Sequence, residues 1–371
     1  MRAYLLLLLT AAAVAWLTTP LARRLATASG AITAVRARDV HTEPIPRMGG
    51  VAMLAGIAVA LVVGAQIPFL APVFAGPTAW AILGAAGAVT LLGVADDIWD
   101  LDWLTKLVGQ VLAAGLMAWW GGVQLYALPI AGLTIPSSRQ SLFATVLVVV
   151  VAINAVNFVD GLDGLAAGVT AIGGSAFLLY TYLLTRNISA DYANVASVVI
   201  AVVVGACLGF LPHNLNPARI FMGDSGSMLI GLTFAAAGIV VTGQVDATTL
   251  TARQQVPAFL PILLPVAVLL LPLLDMGLAV VRRMGRGKSP FHPDRQHLHH
   301  RMLQLGHTQR RAVAIMYLWT AVFALGATSL VAWSTTQALV AIGIGTVVAL
   351  ALTLGPLRGR AQRPAEREGT S

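Results

Sequence analysis

Charged residues are the scarcest class in this 371-residue sequence. Asp, Glu, Lys and Arg together make up 10% of it, against about 25% in an ordinary soluble domain. That deficit excludes a soluble globular protein of the usual composition. Cysteine is nearly absent too. The single Cys207 cannot form an intrachain disulfide and says nothing about redox compartment. No convincing internal repeat is present, and the alternating period of barrel strands is missing as well.

Apolar side chains are what the sequence has in excess: 58% of residues, with a mean hydropathy of +0.83. Crossing hydrocarbon as a helix takes about 20 mostly apolar residues, and every backbone amide there must be bonded within its own segment. Eleven runs meet that need: 4–22, 49–66, 78–95, 104–120, 141–158, 165–184, 192–212, 226–242, 257–281, 312–333 and 336–356. The first is long and shows no convincing small-residue cleavage site, so it reads as a helix rather than a secretory signal. The expected fold is an all-α polytopic integral membrane protein with about eleven transmembrane helices. One multi-span domain covers 1–356, and 357–371 is a disordered tail rich in Arg, Pro, Glu and Gly.

Loops with excess Lys and Arg stay on the cytoplasmic side. The eleven spans sort the connections into two sets, and nineteen of the 23 basic residues fall in one of them. That set comprises 23–48, 96–103, 159–164, 213–225, 282–311 and the tail, with Lys106 at the edge of the fourth span. The other set holds only Arg2, Arg139, Arg186 and Arg253. The N-terminus is therefore expected outside and the C-terminus inside. The net charge of +8 becomes a topology signal and a supply of phosphate ligands rather than a nucleic-acid surface. Asp96, Asp97, Asp100, Asp102, Asp160, Asp163, Asp224 and Asp294 independently fall on the same inner side, while only Asp191 and Asp246 are clearly outside. One membrane face holds the polar chemistry.

Five constellations occupy that face. In Gly93 to Asp102, with Lys106 beyond, the adjacent acids Asp96 and Asp97 sit where the third span ends. The C-terminal end of a helix is already negative, so the pair reads either as a solvated loop or as a site balanced by a divalent ion or a lysine. Asp100 or Asp102 can cap the fourth span, and Asp102 is favoured for it. From Asn154 to Leu165, oxygen side chains recur every third residue, which puts Asn154, Asn157 and Asp160 on one side of a helical turn. Such oxygens suit a hard cation such as Mg²⁺, and Gly161 and Gly164 permit a sharp bend close to a ligand. The alternative is a polar interhelical turn with Asp163 as N-cap.

The third constellation, Phe210 to Ser227, ends in Gly223-Asp224-Ser225-Gly226 before the eighth span. Asp224 is either a cap or a metal ligand beside amides that bind phosphate readily, and Phe221 is a candidate to stack on a base. The longest inner loop brings His292, His297, His299 and His300 together with Asp294, Arg295 and Arg301. Zinc is disfavoured there, because no cysteine accompanies the histidines and the other loops offer Asp and Asn. An anionic sugar nucleotide suits the set better. The fifth, Arg38 to Gly50, reads as a stiff loop turning into a helix, its basic residues serving equally well as topology determinants. Asp275, in the ninth span about two turns before Arg282 and Arg283, is open to ion pairing or to function.

In this order the motifs resemble the polyprenyl-phosphate N-acetylhexosamine-1-phosphate transferase family, from about Arg36 to Arg301. The family's Asp-Asp pair matches Asp96-Asp97, with its following lysine at Lys106. Its N-x-x-N-x-x-D-G-x-D-G matches Asn154 to Gly164, and its N-x-x-P-A-x-x-F-M-G-D matches Asn214 to Asp224. The resemblance implies Mg²⁺, replaceable by Mn²⁺, on Asp224 and Asn157, and catalytic roles for Asp96, Asp97 and Lys106. It also implies uridine contacts from Gly161, Leu162, Asp163, Asn214 and Phe221. Asn154, Asp160, Arg295, His297, His299, His300 and Arg301 complete the expected substrate site.

The run His297-Leu298-His299-His300 is similar to the branch that uses UDP-N-acetylglucosamine, whereas the muramoyl-pentapeptide branch has three consecutive histidines there. Pro46-Arg47-Met48-Gly49-Gly50 departs from that branch's Pro-Thr-Met-Gly-Gly in the same direction. The resemblance therefore implies transfer of N-acetylglucosamine 1-phosphate to a polyprenyl phosphate with release of UMP. It implies a multi-pass protein of the bacterial plasma membrane, able to form a homodimer, that primes a cell-wall polymer or glycan. Phospho-N-acetylmuramoyl-pentapeptide transfer is the alternative within the family. A phosphate monoester has a second pKa of about 6 and scarcely needs a base at neutral pH. Asp96 and Asp97 are thus expected to position groups and organise the metal. A transporter would hold its ionisable residues near the midplane between broken helices, and a scaffold would not need five polar constellations on one face.

Overall fold

The computed structural model describes residues 1–33, 44–126, 137–188, 194–242, 277, 281, 284–285, 302 and 306–361. Among them the chain is almost wholly helical. In order come α1 (Arg2–Ser29), α2 (Gly49–Ala65), the short α3 (Ala71–Ala75), α4 (Thr78–Trp99), α5 (Trp103–Trp120) and α6 (Ser138–Val159). α7 (Leu165–Ile188), α8 (Asn194–Asn214), α9 (Gly223–Thr242), α10 (Gln309–Ala332) and α11 (Thr335–Ala361) follow. A two-residue antiparallel ladder pairs β1 (Ile32–Thr33) with β2 (Ile45–Pro46), Ile32 opposite Pro46. No sequence pattern anticipates it.

Ten of the eleven expected spans meet a helix, and the remaining one, 257–281, falls almost entirely outside the described residues. Eight of the described helices are long and apolar enough to cross a bilayer unaided, so this is a multi-pass membrane protein. The second span, 49–66, coincides with α2, after which the chain passes into a 3₁₀ turn at Pro68–Leu70 and α3, bent by 98° from it. Pro68 and Pro72 lack the amide hydrogens that would continue α2. The fourth span, α5, is not among the eight, because Lys106 and Gln110 reduce its apolar content.

Local chemistry sets the helix ends. Asp102 caps α5, its Oδ1 accepting from Leu104 N at 2.9 Å and Thr105 N at 3.0 Å. The Thr105 hydroxyl and these amides hold its carboxyl below the usual range. Asp100 instead ends α4 in the left-handed region, with φ of 51°. A Ser137–Gln140 capping box opens α6, and the Thr308 hydroxyl accepts from Arg311 N at the start of α10.

α9 is the axis of the bundle. Its most apolar stretch is 94% buried, and it packs against α2, α4, α6 and α8. A helix apolar on every side belongs in a core. α11 is the opposite: only 11% of its apolar stretch is buried, chiefly against α10. Within lipid, helices associate through close packing of small residues rather than by leaving water. α8 meets α1 in this way. Gly205 and Gly209 lie against the carbonyls of Leu8 and Ala12, where a β-carbon on either glycine would overlap them.

Gly209→Leu should force α8 away from α1, an overpacking cost of about 1–3 kcal/mol, read as a lower thermal midpoint in detergent. Gly84→Leu, where nothing lies within 4 Å of the added carbon, should leave the midpoint unchanged. Equal effects of the two substitutions would remove the close-packing explanation.

Candidate active site

The site is built around the first turn of α9. Gly223 enters it with φ of 71°, a left-handed backbone that glycine adopts without a steric penalty. A β-carbon there would run into the Asp97 carboxylate. The turn aims the first amides of α9 at α4, where Asp97 Oδ1 accepts from Asp224 N at 3.0 Å and Oδ2 from Ser225 N at 3.3 Å. A carboxylate in this place satisfies amides that have no partner within the helix and faces the positive end of its dipole. Gly93 on α4 and Gly50 on α2 allow both helices to lie against the Ser225 backbone.

The segment before α2 is stitched to the same turn. Phe221 N donates to Pro46 O at 2.8 Å, Gly49 N to Phe221 O at 3.0 Å, and Gly50 N to Met222 O at 3.1 Å. The Pro-Arg-Met-Gly-Gly segment, the Asp-Asp pair and the Gly-Asp-Ser-Gly turn are therefore one structure.

Around Asp224 the polar side chains converge. Asn157, on α6, donates from Nδ2 to Asp224 Oδ1 at 2.8 Å and to Ser227 Oγ at 3.1 Å. Lys106 Nζ lies 3.1 Å from Asp96 Oδ2 and 3.5 Å from Asp224 Oδ2. Asp96 Oδ1 accepts from Leu101 N at 2.8 Å. The Asp96 and Asp224 carboxylates also adjoin one another. Asp96 and Asp97 are each buried to 8% exposure. Asp160 follows α6 directly and faces the same cluster. Desolvation, then the charges of Asp224 and Asp97, push its carboxyl up to about 7, against the opposing pull of the Arg47 guanidinium.

Other motif residues hold loops together. The buried Asn214 accepts from Gly164 N through Oδ1 at 3.0 Å and donates to Ile220 O at 3.0 Å, joining the second constellation to the third. Asp163 is buried and accepts from Asn216 Nδ2 at 2.9 Å and Ala218 N at 3.1 Å. It is not the N-cap of α7: Gly164, with φ of 76°, stands between it and the helix. The Leu162 side chain belongs to the apolar core, Gly161 is exposed, and Phe221 is half-buried. Asn154 links helices, donating to Gln110 Oε1 on α5 at 2.9 Å and to Val150 O at 2.8 Å. Arg295, His297, His299, His300, Arg301 and Asp275 lie outside the described residues.

Sequence reasoning missed several participants. Arg47 acts electrostatically on Asp160 and Asp224; an arginine two residues before a helix that opens on Gly-Gly was the available signal. Ser227 is three residues after Asp224 and so on the same helical face. Gln309, Arg310 and Tyr317 reach the site from α10, which the motifs do not include.

Among the described residues no three Asp, Glu, His or Cys side chains form a ready ligand set. Asp224, Asp96 and the Asn157 amide still offer the oxygen chemistry of a hard divalent cation. Two adjoining carboxylates with a single ammonium between them leave negative charge for such an ion to neutralise. Asn157 turns its nitrogen toward Asp224 here, so its oxygen becomes a ligand only with the amide reversed.

Residues 79–242 match the pattern of glycosyl transferase family 4. A decaprenyl-phosphate N-acetylglucosaminephosphotransferase of Mycolicibacterium smegmatis is 43% identical over 357 residues, 95% of this chain and 88% of that protein. The protein of the same name from Mycobacterium tuberculosis shows the same 43% identity and coverage. A probable undecaprenyl-phosphate N-acetylglucosaminyl 1-phosphate transferase of Bacillus subtilis is 29% identical over 310 residues, 83% of this chain and 80% of its own. The family pattern covers α4 to α9, the helices that carry Asp96, Asp97, Lys106, Asn157 and Asp224, and the likeness to the first two relatives extends over nearly the whole chain: this protein belongs to glycosyl transferase family 4.

Proposed function

We propose that the protein transfers N-acetylglucosamine 1-phosphate from UDP-N-acetylglucosamine to a polyprenyl phosphate, decaprenyl phosphate being the acceptor in the names of its 43% identical relatives. The observation that carries this is the convergence of Asp96, Lys106, Asn157 and Asp224 from four helices onto one point at one end of the bundle. Phosphoryl transfer asks a protein mainly for positioning and charge neutralisation, and this cluster offers both.

An oxygen of the lipid phosphate attacks the β-phosphorus of the nucleotide sugar. The bond from that phosphorus to the bridging oxygen breaks, and UMP leaves with the bridging oxygen. Asp224 and Asn157 would hold Mg²⁺, which would supply neutralisation of the diphosphate charge. Lys106, already set between two carboxylates, is placed to take up a phosphate oxygen. Asp97 spends both oxygens on the amides of α9, so its part is to hold Asp224 in place rather than to remove a proton. Asp96 orients Lys106.

The cluster lies on the cytoplasmic side in this reading, with eleven spans, the N-terminus outside and the bacterial plasma membrane as the location. The tryptophans support α5 as a span despite its polar residues. Trp99 and Trp103 are exposed at one end, Trp119 and Trp120 at the other. An 18-residue helix is about 27 Å long, near the thickness of the hydrocarbon, and tryptophan favours both of its boundaries.

Purified protein with decaprenyl phosphate and Mg²⁺ should release UMP from UDP-N-acetylglucosamine and not from UDP-N-acetylmuramoyl-pentapeptide. Chelation should abolish release, and Asp224→Ala should lower kcat by about 10²-fold or more. Release from the pentapeptide nucleotide alone would refute the assigned substrate. Asp97→Asn should lower kcat while the pH–rate profile keeps its shape; loss of an acid limb in that variant would instead make Asp97 the base. In intact cells, a membrane-impermeant maleimide should label Arg139→Cys and leave Ser371→Cys unlabelled until the membrane is opened. Cys207 is buried and should give little background.

A further inference from the structure

Gln309, Arg310 and Tyr317 all lie beyond the stretch that matches the family, 79–242, yet they bond directly to its loops. Arg310 donates from Nε to Asn216 Oδ1 at 3.2 Å and from Nη2 to Asn216 O at 3.0 Å. Asn216 passes the connection on, its Nδ2 donating to both Asp163 Oδ2 and Gln309 Oε1 at 2.9 Å. About two turns further along α10, the Tyr317 hydroxyl donates to Gly164 O at 2.5 Å. Gly168 leaves the room for it, since a β-carbon there would occupy the space of the tyrosine oxygen.

The start of α10 thus grips both loops that flank the Asp224 cluster. One is the Gly161–Gly164 turn, gripped at Gly164. The other is the Asn214–Gly223 loop, gripped at Asn216. Asn214 ties the two loops to each other by its own pair of bonds, so a shift of either is felt by Phe221 and Asp224. Arg310 and Tyr317 themselves touch neither Asp96, Lys106, Asn157 nor Asp224 in the bonds they make.

We infer that Arg310 and Tyr317 are positioning residues: α10 clips the two loops that flank the Asp224 cluster into register through Asn216 and Gly164. The inference rests on the function proposed above, with the nucleotide sugar as the ligand whose binding this register governs. The guanidinium is suited to the task. Its planar fork takes a side-chain oxygen and a backbone oxygen of one residue at once, which a lysine does with a single point charge. The clip also gives Asp163 a defined partner, so that a buried carboxylate is hydrogen-bonded from two sides.

The test is steady-state kinetics and UMP binding on the full-length protein in detergent, with thermal midpoints measured alongside. Arg310→Ala should raise the KM for UDP-N-acetylglucosamine and weaken UMP binding by about 10-fold, as a displaced substrate-positioning loop does. The KM for the polyprenyl phosphate and the thermal midpoint should stay near those of the wild type. Arg310→Lys should restore part of the loss. Arg310→Ala added to Asn216→Ala should make it little worse than Asn216→Ala alone, because residues acting as one unit do not add. Tyr317→Phe should shift the same constants in the same direction. Wild-type constants in Arg310→Ala, or a loss spread equally over both substrates together with a lower midpoint, would overturn the positioning role. An inert wild type would refute the proposed activity, and UMP binding would still decide the clip.

Discussion

The Asp97 carboxylate, receiving the amides of Asp224 and Ser225, is the contact on which the site depends. It joins residues more than a hundred positions apart and brings the C-terminal end of one membrane helix to the N-terminal end of another. The pairing is favourable on each side. The amides of α9 have no partner inside their helix, and a negative group is welcome where the dipole is positive. The same carboxylate at the end of α4 would be unfavourable alone, because the C-terminal end of a helix repels it. Asp97 is therefore stable in its place only while α9 is in its own. That reciprocity presents Asp224 to Asn157 and Lys106, and the small residues Gly93, Gly50 and Gly223 are the steric condition for it.

Asp96 shows how neighbours can differ. It shares a helical turn with Asp97 but its oxygens meet Lys106, Leu101 N and the Asp224 carboxylate rather than the first amides of α9. One acid of the pair closes a helix-to-helix joint and the other joins the charged cluster around Lys106. The chemistry open to each follows from what already occupies its oxygens. Asp160 faces the same carboxylates, and burial first, then the charges of Asp224 and Asp97, raise its pKa.

Much of the fold is readable from the sequence because lipid imposes a single backbone solution on long apolar runs. Ten runs became helices for that reason, and Asp102 announced itself as a cap by standing before one. The break after α2 had its signal in Pro68 and Pro72, which stand just beyond the end expected for the second span. The site is readable only in part. Asn157 and Asp224 stand out as oxygen side chains at a membrane boundary, but nothing local in an Asp-Asp pair says that one member will cap a distant helix. Asn154, Asp163 and Asn214 look like ligands by residue type, and their side-chain bonds here tie helices and loops. Arg310 and Tyr317 are invisible to motif reading altogether, because their role is set by a tertiary contact with Asn216 and Gly164 and not by any pattern of their own.

The burial of α9 has a mechanical consequence. Bilayers vary in thickness, and helices in contact with lipid accommodate the mismatch by tilting. Among the described helices that exposure is greatest on α11 and α1, which are 11% and 28% buried over their apolar stretches, while α9 is 94% enclosed by other helices. Peripheral helices can yield to the membrane while the element carrying Asp224 keeps its depth and angle. The protein thus contains its own suspension: Asp224 is referenced to neighbouring helices and insulated from the lipid by them.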